Sequence, residues 1–324
     1  MVGGVTDRGT ARMSPRPVII DCDPGQDDAV ALVMALARPD AIEVLAVTAV
    51  GGNVPLRLTE RNARRVVELC GRPDLPVHAG CAAPLIVPLE TAEYVHGETG
   101  LDGSGLPDPE RPLTSGHAVD AMIDLIEARP EGAVTLVATG PLTNVALAFA
   151  KAPAVMRRLE RIVLMGGALE LGNVTPAAEF NVYVDPHAAR MVFQGGVPIT
   201  MFGLDVTHKV LVTDARLRRV REAGTGAAAA IHGMMEFAAR YDRERYSAEG
   251  GPLHDPCTIA WLLQPDLFRG RECRVEIETD SPLTRGMTVV DWLGRAPEKN
   301  AAVMRDADAD GFFDLLDDCL KRLG

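Results

Sequence analysis

Aromatic side chains are scarce in this 324-residue chain: Phe, Tyr and Trp together make up 4% of it. Within a 47% hydrophobic total, Ala, Val and Leu dominate instead, which suits helices packed on a buried parallel sheet. An excess of positive charge is also missing. The 33 Lys and Arg stand against 45 Asp and Glu, a formal net charge of −12, with a pI near 5.1. That balance argues against a nucleic-acid or anionic-membrane surface, both of which need clustered Lys and Arg. The six cysteines (Cys22, Cys70, Cys81, Cys257, Cys273 and Cys319) form no CxxC pair. Neither a zinc site nor a disulfide framework is signalled, and a reducing cytoplasm is the expected location. No apolar run approaches the roughly 18–20 residues of a membrane helix. The opening "MVGGVTDRGTARMSPR" (1–16) lacks the apolar stretch of a signal peptide and reads as a loose, flexible tail.

What is present is a repeated alternation. Continuous apolar runs at 17–20, 43–50, 134–139, 161–167 and 197–203 predict buried strands, since none shows the polar alternation of a half-exposed one. Helical patterns lie between them at 27–38, 57–70, 142–152 and 185–196. The fold class expected is α/β: a doubly wound, mostly parallel sheet with helices on both faces. After residue 205 the pattern turns helix-rich, and 274–280 with 286–292 predict a late hairpin. With no repeat or linker, residues 17–324 read as a single domain. In such sheets ligands bind beyond the carboxyl ends of the strands.

One of those ends is "DCDPGQDD" (21–28), four aspartates in eight positions around a Pro–Gly turn. Carboxylates this close raise one another's pKa and repel. A helix N-terminus offsets only about 0.3–1 kcal/mol for each, whereas a hard divalent cation with oxygen ligands would compensate the whole cluster. Further candidates follow downstream. "GGPLHDPC" (250–257) sets His254 and Asp255 before a helix, where Asp255 could equally be an N-cap. "GNVTPAAEFNVYVDP" (172–186) carries Asn173, Glu179 and Asn181, groups that read sugar hydroxyls or simply line a polar loop. "TAEYVHGETGLDGSGLP" (91–107) is a Gly-rich loop bearing His96, of the kind that closes as a lid.

Taken in order, these segments resemble the nucleoside hydrolase family, of the inosine-uridine preferring and pyrimidine-specific ribonucleoside hydrolase types. The resemblance rests on "DCDPGQDDAVAL" (21–32), "VGGN" (50–53), "VHG" (95–97), "TGPLTN" (139–144), "VLMGG" (163–167), "AEFN" (178–181), "GLDVTH" (203–208) and "HDPC" (254–257). It implies one Ca²⁺ per subunit, held by the side chains of Asp23, Asp28 and Asp255 and the carbonyl of Thr139. It implies ribose contacts from Asp27, Asn53, Asn173, Glu179 and Asn181, with Asp255 also near the substrate, Met165 beside the sugar, and His96 and His254 toward the base. Base recognition falls on the helix before "HDP", within 237–251. There Tyr241, Arg245 and Tyr246 are candidates, while Ala238 and Asp242 depart from the expected pattern. A homodimer or homotetramer acting on a small ribonucleoside, with no nucleic-acid or membrane partner, completes the implied picture.

The chemistry expected is hydrolysis of the ribose–base bond in nucleoside salvage. The bond's cleavage builds positive charge on the sugar and negative charge on the base. A divalent cation acidifies water, and a nearby carboxylate, here Asp23, takes its proton. His254 is the candidate acid toward the leaving base. Two alternatives compete on motif grounds: a Mg²⁺-dependent phosphohydrolase of the haloacid dehalogenase type, which also places DxD after its first strand, and a non-catalytic nucleoside-binding protein. His78, His117, His187, His208 and His232 are expected to be structural or surface residues.

Overall fold

The computed structural model describes residues 14–246 and 250–324, the side chains of 241–246 excepted. Twelve strands occur among the described residues: β1 (Arg16–Cys22), β2 (Ile42–Ala49), β3 (Val77–Ala79), β4 (Thr135–Ala138), β5 (Arg161–Met165), β6 (Ile199–Phe202), β7 (Leu211–Thr213), β8 (Gly250–Pro252), β9 (Phe268–Cys273), β10 (Val275–Ile277), β11 (Thr288–Val290) and β12 (Ala301–Ala307). Eight form one sheet in the order β3-β2-β1-β4-β5-β6-β12-β9. Every neighbouring pair in it is parallel except β12 with β9.

Alternation along β1 shows why its apolar run is unbroken. Val18, Ile20 and Cys22 enter one hydrophobic core and Ile19 enters the other. Successive side chains of a strand point to opposite faces, so both faces of the sheet are buried. One core takes in the helices Gln26–Leu36, Leu56–Leu69, Pro256–Leu263 and Ala309–Lys321; the other takes in Ala118–Glu127, Thr143–Lys151 and Pro186–Phe193. The chain is thus an α/β protein with helices on both faces of a mostly parallel sheet.

The five expected strands and four expected helices fall within a few residues of β1, β2, β4, β5, β6 and the helices that follow them. The late hairpin is the antiparallel pair β10–β11. The sheet, however, does not end near residue 200. β12 joins β6 in parallel and β9 closes the edge. Exposed and charged side chains interrupt both of these strands, in "FRGREC" and "AAVMRDA"; for β9 the reason is that an edge needs burial on fewer sides.

The strand order reverses between β1 and β4. β1 leads outward to β2 and β3, and β4 leads outward the other way to β5 and β6. This switch point is where a doubly wound sheet opens a crevice at its carboxyl rim. Asp23 follows β1, Asn53 follows β2, Thr139 follows β4 and Met165 ends β5, so the parallel topology delivers all four to one rim. A separate ribbon, β7 paired with β8, brings the distant His254–Asp255 segment to the same place. Gly250 permits that pairing, since a side chain there would collide with the carbonyl of Val212.

Candidate active site

The Pro24–Gly25 turn delivers the chain from β1 into the helix Gln26–Leu36, whose first turn carries Asp27 and Asp28. Asp28 is held from three sides. Its Oδ2 accepts from the Gly25 amide at 3.0 Å and the Asn53 side-chain amide at 3.3 Å, and its Oδ1 accepts from the Thr139 hydroxyl at 2.7 Å. Asp23 takes one bond to Oδ2 from the Asn53 backbone amide at 2.7 Å, while its Oδ1 is buried with no partner among the described residues. Gly52 and Gly140 make room for that carboxylate. A Cβ at Gly52 would collide with Oδ2, and one at Gly140 would lie 2.5 Å from Oδ1.

Asp255 caps its helix by position only, because its side chain makes no capping bond. It turns instead toward the acidic cluster, where oxygens of Asp27, Asp28 and Asp255 all lie within 4.8 Å of one another. Asp255 thus holds the N-cap position, with Pro256 following, without the capping bond. Burial first, then the neighbouring carboxylates, pushes Asp23 and Asp255 well above the ordinary carboxylate range. Burial likewise pushes Asp28 to about 6, with Asp27 adding to it.

Asp21, the first of the four aspartates, braces the sheet. Its Oδ1 accepts from the Thr48 hydroxyl at 2.7 Å and the Asn144 amide at 2.8 Å, joining β1 to β2 and to the helix after β4.

A cavity of about 390 Å³ opens over the cluster. It falls within the range that holds a small ligand. Of the residues singled out from sequence, Asp27, Asn53, His96, Thr139, Met165, Asn173, Glu179, Asn181, His254 and Asp255 line it, and so does Ala238. Asp23 and Asp28 are fully buried and do not line it. Tyr241, Asp242, Arg245 and Tyr246 lie outside the residues whose side chains are described.

Within the polar loop, Glu179 caps the short helix Phe180–Val184. Its carboxylate accepts from the backbone amides of Gly167 (2.8 Å), Asn181 (3.0 Å) and Val182 (3.3 Å), while burial pushes it up to about 7. The Asn181 amide spans two strand ends, donating to the carbonyls of Thr139 at 2.7 Å and Met165 at 3.1 Å. A carbonyl oxygen has two lone pairs, so Thr139 keeps one in reserve. Asn173 is turned inward by accepting from the Phe180 amide at 3.0 Å.

Histidines form the opposite wall. His254 places Nδ1 2.7 Å from the Thr207 hydroxyl, and burial pushes its pKa down to about 4. His208 lines the cavity too, its ring centroid 5.5 Å from that of His254. The expectation that His208 is merely structural is therefore corrected. Nothing in "GLDVTHK" distinguishes it, because the ribbon β7–β8 that brings it beside His254 is a long-range pairing. Gln26 and Phe180 were also missed as cavity residues.

The Gly-rich loop is pinned rather than loose. Asn62 donates to the carbonyls of Pro24 at 3.1 Å and Thr99 at 2.8 Å, and Gln26 donates to the carbonyl of His96 at 2.9 Å. Gly103 abuts Gly233 so closely that neither position has room for a Cβ.

The groups Asp23, Asp28, Asp255 and the Thr139 carbonyl offer only oxygens as ligand atoms. The two nearby thiols are turned elsewhere, Cys22 to the Thr48 carbonyl and Cys257 to the Leu253 carbonyl at 3.3 Å. Burial raises both thiol pKa values, so neither offers a thiolate. The unpartnered Oδ1 of Asp23 is a further oxygen in search of a partner. The residues fit a hard, oxygen-preferring cation.

Fold and cavity together define an α/β enzyme with an acidic centre at the sheet's switch point. Residues 18–314 match the inosine-uridine preferring nucleoside hydrolase family. A pyrimidine-specific ribonucleoside hydrolase (RihA) of Salmonella paratyphi B is 48% identical over 307 residues, 94% of this chain and 98% of its own. An uncharacterized protein of Schizosaccharomyces pombe is 47% identical over 309 residues, 94% and 99% of the two chains. Among solved structures, the purine-preferring ribonucleoside hydrolase from Gardnerella vaginalis superposes with a TM-score of 0.88 at 32% identity, covering 95% of this chain and 99% of its own. The chain belongs to the nucleoside hydrolase family, and is thereby an N-glycosidase.

Proposed function

We propose that this single-domain enzyme hydrolyses ribonucleosides, pyrimidine nucleosides foremost, to ribose and free base with one Ca²⁺ per subunit. It would act in salvage in the cytoplasm, as a homodimer or homotetramer. The observation that carries the reading is the convergence of Asp27, Asp28 and Asp255 beside the cavity, with the unpartnered Oδ1 of Asp23 beneath. Three buried or half-buried carboxylates in such proximity raise one another's pKa and destabilise the fold unless positive charge joins them. Asp23, Asp28, Asp255 and the free lone pair of Thr139 are the groups that would hold the cation. When bound, it supplies Lewis acidity toward water and toward the ribose hydroxyls.

The remaining chemistry belongs to the side chains. Asp27, Asn53, Asn173, Glu179 and Asn181 line the cavity, where they would bind ribose. Oδ1 of Asp23, without another partner, would accept the proton of the attacking water. Asp27 and Glu179 stabilise the positive charge that develops on the sugar ring.

His254 serves the other end of the bond. The Thr207 hydroxyl has one proton and two acceptors within reach, Nδ1 of His254 at 2.7 Å and the Leu204 carbonyl at 3.5 Å. With Thr207 donating to Nδ1, the neutral ring would carry its proton on Nε2. That N–H faces the departing base as negative charge builds on it. The relatives named for pyrimidine nucleosides support the same substrate class here.

A reducing-sugar assay across uridine, cytidine, inosine, adenosine and guanosine, with and without a chelator, tests the reading. Ribose release from the pyrimidine nucleosides that stops with chelator and returns with Ca²⁺ is the expected result. Release unaffected by chelator would remove the metal, and no release from any of the five would remove the function.

A further inference from the structure

Gln26 occupies the centre of "PGQDD", where only 3% of its surface is exposed and both ends of its amide are engaged. The amide nitrogen donates to two carbonyls, His96 at 2.9 Å and Asp102 at 3.4 Å. Carbonyl oxygens only accept, so the amide cannot be turned the other way round. Its oxygen is therefore the atom facing Nδ1 of His96, at 2.6 Å. An oxygen that only accepts requires a donor opposite, so Nδ1 carries the proton. The imidazole ring cannot be flipped either, since flipping would put Cδ2 against that oxygen. Gly25 completes the seat: a Cβ there would lie 2.5 Å from Nδ1 of His96.

We infer that Gln26 is a positioning residue that locks His96 as its Nδ1–H tautomer, so that the ring offers a bare Nε2 to the cavity. Among the described residues Nε2 of His96 has no hydrogen-bond partner, and the ring lines the cavity. The two histidines of the wall are thereby made unlike. His254 presents a donor and His96 presents an acceptor. Resting on the function proposed above, the chemical class that fits His96 is a base bearing an N–H, such as a pyrimidine imide or exocyclic amine. A base with that nitrogen alkylated loses the bond.

The test begins without substrate. Long-range proton–nitrogen spectra of the full chain labelled at histidine, with His96 assigned by its loss in His96→Gln, read the tautomer directly. The wild type is expected to show Nδ1 protonated and Nε2 bare. Gln26→Leu should give Nε2–H or a mixture of the two, whereas Gln26→Glu keeps an acceptor opposite Nδ1 and should keep the wild-type pattern. A wild-type spectrum with Nε2 protonated, or a Gln26→Leu spectrum identical to wild type, overturns the inference.

The second arm is kinetic. Wild type should favour uridine over N3-methyluridine by about tenfold more in kcat/KM than Gln26→Leu does, the worth of one hydrogen bond. Equal discrimination by the two proteins also overturns it. A chain that turns over no nucleoside yet shows the expected tautomers would overturn the proposed function and leave the role of Gln26 standing.

Discussion

The hydroxyl of Thr139 donates to Oδ1 of Asp28 at 2.7 Å, a bond that crosses the switch point of the sheet. Thr139 follows β4 and Asp28 opens the helix after β1, so this contact links the two halves of the doubly wound fold at the acidic cluster. The backbone repeats the link a few ångströms away, where the Thr139 amide donates to the Asp21 carbonyl at 2.9 Å. One residue, Thr139, thus ties the crevice edges together through its hydroxyl and its amide. Carboxylates placed there cannot spread apart to relieve their repulsion, which makes the cluster depend on a counter-charge.

Removing a carboxylate should consequently stabilise the metal-free protein while abolishing its response to metal. For wild type, Ca²⁺ at a hundred times its dissociation constant adds about 2.7 kcal/mol of stability, visible as a raised Tm. Asp28→Asn and Asp255→Asn should melt at or above the wild-type temperature in chelator and gain nothing from Ca²⁺. Melting curves with and without the ion decide the matter. A Ca²⁺ response in both variants equal to that of wild type would remove the site.

The glycines beside Asp23 lead to a sharper separation of stability from activity. Gly140 follows β4 and has room for hydrogen alone, with Oδ1 of Asp23 2.5 Å from where a Cβ would stand. Gly140→Ala must displace the carboxylate, the nearest side chain, by more than half an ångström. Misplacing a catalytic group by about 1 Å costs on the order of 10²-fold in rate. The expected outcome is a folded protein with kcat reduced about that much, checked by initial rates alongside circular dichroism. Unchanged kcat would show that Asp23 is not the general base.

How far the sequence alone reaches is visible in these same residues. The aspartates of "DCDPGQDD" announce their burden because like charges in a buried turn are costly at any register, and β1 was readable because its run is apolar on both faces. The partners of those aspartates are not local. Thr139 reaches Asp28 across 111 positions, and Asn144 reaches Asp21 across 123. A threonine or asparagine at the start of a helix reads as ordinary in one dimension. His208 stayed hidden for the same reason: only the β7–β8 pairing seats it against His254. The C-terminal strand β12 was missed because its sequence carries neither a continuous apolar run nor clean alternation.

His254 and Thr207 make a linked prediction about the leaving group. His254→Ala should lower kcat on uridine by about 10²–10⁴-fold, the usual worth of a positioned proton donor. It should spare a nitrophenyl riboside, whose leaving group needs no proton. Thr207→Val removes the hydroxyl that keeps the proton on Nε2, and should reproduce part of the loss in kcat with KM little changed. Comparable losses on both substrates for His254→Ala would end the donor assignment.

The paired imidazoles also set a pH dependence whose sign can be worked out. Burial lowers the pKa of His208 from its ordinary 6.5, and the opposing pull of Asp205 is the smaller effect. Asp205 is itself occupied, accepting from the Leu169 amide at 2.6 Å. A group whose folded pKa is depressed leaves stability intact above the unfolded value and erodes it as pH falls. Below about pH 6.5 the unfolded chain gains a proton that folded His208 refuses, so acid favours unfolding. His254, pushed down to about 4, acts in the same direction. His208→Gln removes one of these contributions and keeps a polar side chain in the cavity wall. Its Tm should therefore fall less than that of wild type between pH 7.5 and pH 5.5. A drop as steep as the wild type's would mean that His208 titrates normally and would remove its part in the acid sensitivity.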